Sequence, residues 1–292
     1  MDIGRIGIWT FQFDRQPWVA IAEAAAELDE LGYGALWFPE SNGRETFAQS
    51  ALLLGATRRI VVAPGIASIY ARDAMTMANG QRALCDAYPG RFLLGIGVSH
   101  RHNVETVRGH VYGPPLAAMR AYLDGMDAAP YTAPGEPVGP RLLAALGPRM
   151  LELSRDRANG AHSYFVPAEH TRQARAILGA GPLLAVEQAV VVERDAPQAR
   201  QIARRHMAPY LGLENYTNNL RRLGLSDSDL ANGGSDTVVD AIVRWGSLDE
   251  IAACVQSHLD AGADHVCIQV LPADPAGLPR QEWRDLAATL LG

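Results

Sequence analysis

Ile60 to Asp73 reads IVVAPGIASIYARD, and the fold turns on what this stretch is. It opens with apolar, largely β-branched residues in a run too short for a helix, which is how a strand buried on both faces reads. It closes on Asp73, a good helix N-cap residue, followed by the helical run AMTMANGQRALCDAY. A strand that feeds a helix within a few residues is half of a βαβ unit. Between the two lie Ala67, Ser68, Ile69 and Tyr70: two small residues, a β-branched one and an aromatic. They match neither a simple turn nor a helix cap.

The same alternation runs outward in both directions. Upstream, GRIGIW (4–9) is a short apolar strand, and Pro17 opens a helix to about Leu31, stopped by Gly32. GALWFPES (34–41) is the next strand, and Glu45 to Thr57 is helical. Downstream come RFLLGIGVSH (91–100), a helix opened by Pro114-Pro115, and RLLAALG (141–147) turning through Gly-Pro into a helix. GAHSYF (160–165), LLAVEQAVVV (183–192) and DHVCIQVLP (264–272) complete the strands, with helices over 169–179, 197–207 and 248–261. Continuous apolar strands separated by helices imply a parallel sheet covered on its far face. Eight such units close into a (β/α)8 TIM barrel, an α/β fold. The competing doubly wound sheet would carry a GxGxxG turn after its first strand. Gly4-Arg5-Ile6-Gly7 lies inside that strand, and Gly95-Ile96-Gly97 lacks the third glycine. Residues 209–243 break the rhythm: polar, rich in Asn and Gly, yet aromatic. They read as an insertion between strands seven and eight, either a lid or wall of the mouth or a dimer contact. One domain spanning 1–292 is expected.

Composition narrows the function. Hydrophobic residues make up 48% and charged residues 20% of the 292, the balance of a globular protein. The net charge is −6 and the 26 basic residues, all Arg, are scattered, so a nucleic-acid footprint is not expected. Neither a membrane-spanning apolar run nor a signal peptide is read, so a cytoplasmic protein is expected. Cys85, Cys254 and Cys267 have no metal-binding spacing and read as free thiols.

Barrel chemistry gathers at the C-terminal strand ends. Those ends offer Trp9-Thr10, Glu40-Ser41-Asn42, Ala67 to Tyr70, Gly97 to His100, Ala144 to Gly147, His162 to Tyr164 and, lower down, Glu187-Gln188. The set is poor in hydrolytic machinery, and no GxSxG elbow exists. His100 and His102, with Glu105 nearby, could bind metal, although solvated loop histidines are the commoner meaning of such a pair. Gly147-Pro148-Arg149 could form an anion site at a helix start, or an ordinary βα turn. What remains is a mouth lined by Trp, Tyr, Ile, Ala and Gly, suited to a flat aromatic ligand that carries the chemistry itself.

GIWT, GYGALWFPES, PGIASIYARD, RFLLGIGVSH, AALGPRMLELS, NGAHSYF and AGADHVCIQVLP, in that order, resemble the bacterial luciferase-like flavin-dependent monooxygenases, in the branch that uses the deazaflavin coenzyme F420. The resemblance implies a non-prolyl cis peptide under the cofactor ring, matching Ser68-Ile69 here. It implies that Glu40, Ser68, Ile69, Gly97, Val98, Asn103, Ala144, Ala145, Leu146, Gly147 and His162 contact the cofactor. Trp9 and Tyr70 would wall the substrate space. His100 stands where some relatives place an acidic proton donor, so His100 or Glu40 would relay the proton. A hydride-transfer oxidoreductase acting with F420 on a small organic substrate is expected, as a homodimer. The alternative is an FMN-dependent monooxygenase that needs molecular oxygen and a separate flavin reductase. A non-catalytic cofactor carrier and a metal-dependent hydrolase stand behind these.

Overall fold

The computed structural model describes residues 1–134 and 139–292. Its strands are β1 (Ile6–Trp9), β2 (Ala35–Phe38), β3 (Val61–Pro64), β4 (Ala67–Ser68), β5 (Leu94–Gly97), β6 (Arg141–Ala144), β7 (Gly160–Ser163), β8 (Leu183–Val191), β9 (Val243–Trp245) and β10 (His265–Val270). The helices are α1 (Trp18–Leu31), α2 (Thr46–Ala56), α3 (Ala74–Ala87), α4 (Pro115–Asp127), α5 (Pro148–Arg157), α6 (Ala168–Leu178), α7 (Ala196–Leu211), α8 (Glu214–Arg222), α9 (Asp227–Leu230), α10 (Asp236–Ile242), α11 (Leu248–Asp260) and α12 (Arg280–Leu290). Local chemistry sets several of these ends. The Asp73 carboxylate accepts the Thr76 N–H at 2.9 Å and starts α3. Gly32, at φ +92°, lets the chain turn out of α1. Ser247 and Glu250 form a reciprocal capping box at α11.

Every strand pairing is parallel, in the order β3-β2-β1-β10-β8-β7-β6-β5-β4. β3 and β4 are two halves of one stave, interrupted at Gly65–Ile66. The β3 half pairs with β2, and the β4 half pairs with β5. The broken stave therefore joins both ends of the sheet into an eight-stave barrel, as the alternation predicts. The interior holds Trp9, Trp37 and Leu142 among the small Ala35, Ala63, Ala185 and Cys267. The helices cover the outside of the sheet, and α12, absent from the expected alternation, packs beside α1 with Trp283 and Leu286 buried.

The non-prolyl cis bond is Gly65–Ile66, not the expected Ser68–Ile69. Pairing explains the shift of three residues. Ala67 and Ser68 are in register with Ile96 and Gly97, and the Ile69 N–H donates to the Gly97 carbonyl at 3.0 Å. Ser68–Ile69 is thus held in the ladder, whereas Gly65 sits at the break.

β9 was also not expected. β8 has nine residues; Leu183 to Val186 pair with β7, and Ala189 to Val191 pair with β9. β8 therefore runs past the end of β7 at the mouth, where β9 partners it instead. The insertion is mostly helical. It packs Leu220, Val238, Val239 and Ile242 against Met207, Phe165 and Leu271, a cluster separate from the main core. Cys85, Cys254 and Cys267 are free, in α3, α11 and β10 respectively. No helix among the described residues is long and apolar enough to cross a membrane.

Candidate active site

A cavity of about 710 Å³ opens at the C-terminal ends of the staves, a volume within the range of small-ligand sites. Most of the residues expected there do line it. From β1 comes Trp9, and from the β2 exit Glu40. The β5 exit gives Gly97, Val98, His100 and Asn103; the β6 exit gives Ala144, Ala145, Leu146 and Gly147; β7 gives His162. Ser68, Ile69 and Tyr70 are not on its wall; Gly65 and Ile66 take that place. Ile69 is buried in the sheet–helix core. Tyr70 lies behind the wall, against Tyr112, with its hydroxyl accepting the Gly113 N–H at 3.0 Å.

Two glycines make the floor. A Cβ on Gly97 would lie 2.7 Å from Ile66 Cγ1 and 3.0 Å from Ala144 Cβ. A Cβ on Gly65 would lie 2.6 Å from Trp9 Nε1. A side chain at either position would collide with these neighbours, so glycine lets the elements close up here. Around the rim, two non-glycine residues have left-handed backbone: Ser99 at φ +56° and Phe165 at φ +61°. Both follow strand ends, β5 and β7, and such outliers concentrate where function dictates the geometry.

Glu40 is tightly bound. Its Oε2 accepts the Ser68 N–H at 2.7 Å and an Arg72 Nη1–H at 3.1 Å, while Oε1 meets Arg72 Nη2. Both side chains are almost fully buried. Arg72 also pairs with Glu45 at 2.9 Å and lies over the Phe47 ring at 5.2 Å. Glu40 thus anchors β4 to the rim of β2 through its carboxylate. His100 lies on the cavity wall. It packs on Tyr216 with ring centroids 5.6 Å apart. Burial lowers its pKa, and the Asn215 side chain works in the opposite direction; the ring is neutral near pH 7.

The insertion supplies part of the cavity wall, one of the two places the sequence left open for it. Tyr210 from α7 and Asn215, Tyr216 and Arg222 from α8 all line the cavity, so the segment is a wall of the mouth. Arg222 stands over Gly147, with Nη2 3.6 Å from the ideal Cβ position. Arg149, in the turn the sequence offered as an anion site or an ordinary βα turn, is exposed and off the wall. Tyr164 and Tyr210 share a hydroxyl hydrogen bond at 2.9 Å, and the Tyr164 hydroxyl donates to Gln269 Oε1 at 2.9 Å. Beneath them lies Glu187, buried and not on the cavity wall. Its Oε2 accepts the Phe165 N–H at 3.1 Å, while Oε1 has no partner. Burial pushes its pKa up to about 8, so it is protonated at neutral pH. His102 lines the cavity, but Glu105 is engaged by Arg101 at 2.8 Å. No three His, Cys, Asp or Glu side chains among the described residues converge as a metal site.

Known proteins place this geometry in context. Residues 5–265 match the family described as luciferase-like monooxygenase. A Mycobacterium tuberculosis protein, provisionally named a coenzyme F420-dependent oxidoreductase, is 27% identical over 125 residues, covering 42% of this chain and 36% of the relative. A second, uncharacterised M. tuberculosis protein is 29% identical over 107 residues, 37% of this chain and 31% of its own length. The matched stretch is thus only about a third of these curated relatives. In three dimensions the chain is similar to an F420-dependent secondary alcohol dehydrogenase, solved with an F420–acetone adduct, at TM-score 0.74 and 14% identity over 98% of this chain and 99% of that one. It is also similar to the F420-dependent tetrahydromethanopterin reductase of Methanopyrus kandleri, at TM-score 0.72 and 16% identity over 99% and 98%. A type II Baeyer-Villiger monooxygenase component of Pseudomonas putida, solved with FMN, gives TM-score 0.71 and 15% identity over 97% and 96%. These three likenesses concern the fold. The family match, which spans most of a closed parallel barrel with its cavity at the strand ends, establishes that the chain belongs to the luciferase-like monooxygenase family of oxidoreductases.

Proposed function

We propose that this chain transfers a hydride between the deazaflavin coenzyme F420 and a small organic substrate held in the barrel mouth. The observation that carries the reading is the cavity of about 710 Å³ at the strand ends, lined by Gly65, Ile66, Gly97 and Ala144 on one side and by aromatic rings on the other. A cavity lined by small and aromatic residues fits a planar ring. The F420-dependent proteins of the same fold support it. When bound, the coenzyme supplies a ring carbon that exchanges a hydride with the substrate. The chain supplies the rest. Ile66, Gly97 and Ala144 would back the ring, and Glu40 would hold the rim beside it through Ser68 and Arg72. Tyr210 and Tyr216 exclude water from the mouth. His100, neutral through burial, holds or accepts the single proton that accompanies hydride transfer at its ring nitrogen.

An FMN-dependent monooxygenase is the second reading, favoured by the similar fold of the FMN-bound neighbour. Titrating the purified chain into F420 and into FMN, and following the ligands' fluorescence, separates the two. We expect saturable binding of F420 at least about tenfold tighter than FMN. Tight FMN binding with no response to F420 favours the second reading, and response to neither ends both. With a substrate in hand, His100→Phe should lower turnover roughly 100-fold while ring affinity stays within about twofold.

A further inference from the structure

Phe11 lies on the cavity wall and starts an unbroken run of ring contacts. It meets Trp9 edge-on with centroids 4.5 Å apart, and Trp9 meets Tyr164 at 5.2 Å. Tyr164 meets Tyr210 at 5.3 Å, and Tyr210 meets Tyr216 at 5.3 Å. The run ends where Tyr216 packs on His100 at 5.6 Å. Every one of these residues lines the cavity. Trp9 and Tyr216 are buried, so the aromatic rings with surface left to offer in this run are Phe11, Tyr164 and Tyr210, each half-buried.

The two half-buried tyrosines offer ring carbon and no hydroxyl proton. Gln269 is buried and off the cavity wall, and its Oε1 accepts the Tyr164 O–H at 2.9 Å. A phenol has a single proton, so the Tyr164 oxygen accepts from the Tyr210 hydroxyl at 2.9 Å. Both protons are spent within the wall. The charged groups lie elsewhere. Among the described residues the wall carries one carboxylate, Glu40, and one guanidinium, Arg222. Glu40 is held by Arg72, while Arg222 stands over Gly147 and donates to Asn219 Oδ1 at 2.9 Å. A charged or many-hydroxyl ligand laid along Phe11, Tyr164 and Tyr210 would give up water and find no partner there. A flat π system gains on the same surface, because aromatic pairs are favoured beyond the area they bury. At the end of the run the His100 ring nitrogens can meet a polar group.

We propose that the substrate is an uncharged, flat molecule, aromatic or conjugated along its length, that lies on Phe11, Tyr164 and Tyr210 with its reacting polar group at the His100 end. This rests on the cofactor reading given above, which leaves this side of the cavity to the substrate. Phe11, Tyr164 and Tyr210 are then the residues that set specificity.

The test uses the full chain at saturating F420, so that a probe cannot take the place of the redox ring. Equilibrium dialysis measures the affinity for three probes: acetonaphthone, which is flat and neutral; naphthoate, the same body with a charge; and acetyldecalin, its saturated counterpart. Acetonaphthone should bind at least about tenfold tighter than either of the others. Phe11→Leu, Tyr164→Leu and Tyr210→Leu keep an apolar wall without the ring, and each should weaken acetonaphthone about tenfold. Tyr164→Phe should recover most of what Tyr164→Leu loses, since the hydroxyl faces Gln269. The selectivity of the wild type needs no variant, so the proposal stays falsifiable where a variant fails to fold. Naphthoate or acetyldecalin binding as tightly as acetonaphthone, or no uptake of acetonaphthone by the F420-loaded chain, overturns the proposal and leaves the cofactor reading standing. Acetonaphthone affinity within twofold of wild type in all three leucine variants overturns it as well. A wild type that takes up no F420 overturns the cofactor reading and this proposal with it.

Discussion

Glu187→Gln should make the chain more stable than the wild type at pH 8 and above, by about 5 kcal/mol relative to the difference between the two at pH 4.5. Glu187 is 1% exposed, and its one hydrogen bond comes from the Phe165 N–H. Burial raises its folded-state pKa from 4.5 to about 8. Below pH 4.5 the group is protonated folded or unfolded and contributes no pH dependence. Between pH 4.5 and 8 the unfolded chain loses the proton while the folded chain keeps it, so ionisation pulls the equilibrium towards unfolding. The loss accumulates at about 1.4 kcal/mol per pH unit and levels off above pH 8. Gln has the shape of the neutral acid, accepts the same Phe165 N–H, and has no proton to lose. Urea unfolding of both proteins at pH 5, 7 and 9 measures the effect as a stability gap that widens with pH. A gap constant across that range would mean that Glu187 titrates normally in the folded protein.

The second large effect is expected at Arg72. Arg72→Met leaves the Glu40 carboxylate, 4% exposed, with the Ser68 N–H as its remaining partner. Removing one member of a buried pair costs about 3–5 kcal/mol, because the other charge stays buried and unpaired. Arg72 also gives up its bond to Glu45 and its seat on Phe47. Glu40→Gln combined with Arg72→Met should recover most of the loss, since Gln still accepts from Ser68 without carrying a charge. Denaturation midpoints of the two single variants and the double variant complete the cycle. A loss under 1 kcal/mol for Arg72→Met would show that water or another side chain replaces the Arg72 bonds.

The staves were legible because each is a short apolar run between helical stretches, and eight such runs have one economical closure. That closure then sends Trp9, Glu40, Gly97, His100 and His162 to a single rim, so their gathering follows from topology rather than from any motif. What escaped the sequence depends on distant partners. β9 is three residues, Val-Arg-Trp, and exists because β8 outruns β7. The cis bond falls at Gly65 rather than Ser68 because Ala67 and Ser68 pair with Ile96 and Gly97, nearly thirty residues away. Arg72, the partner that holds the Glu40 carboxylate, lies 32 residues on. Tyr210 and Tyr216 sit in a polar insertion whose aromatic residues hinted at a buried side, but which edge of the barrel they would cover is a matter of packing between elements. The positive φ of Phe165 and the partnerless oxygen of Glu187 have no counterpart in residue type at all.

The central claim is that the barrel mouth grips a planar redox ring, and a crystal structure of the chain soaked with F420 tests it most directly. The account predicts the ring lying on Gly65, Ile66 and Gly97, with its free face turned towards His100 and Tyr216. A ring bound on the outside of the barrel, or a mouth that stays filled by its own side chains at saturating coenzyme, would contradict it.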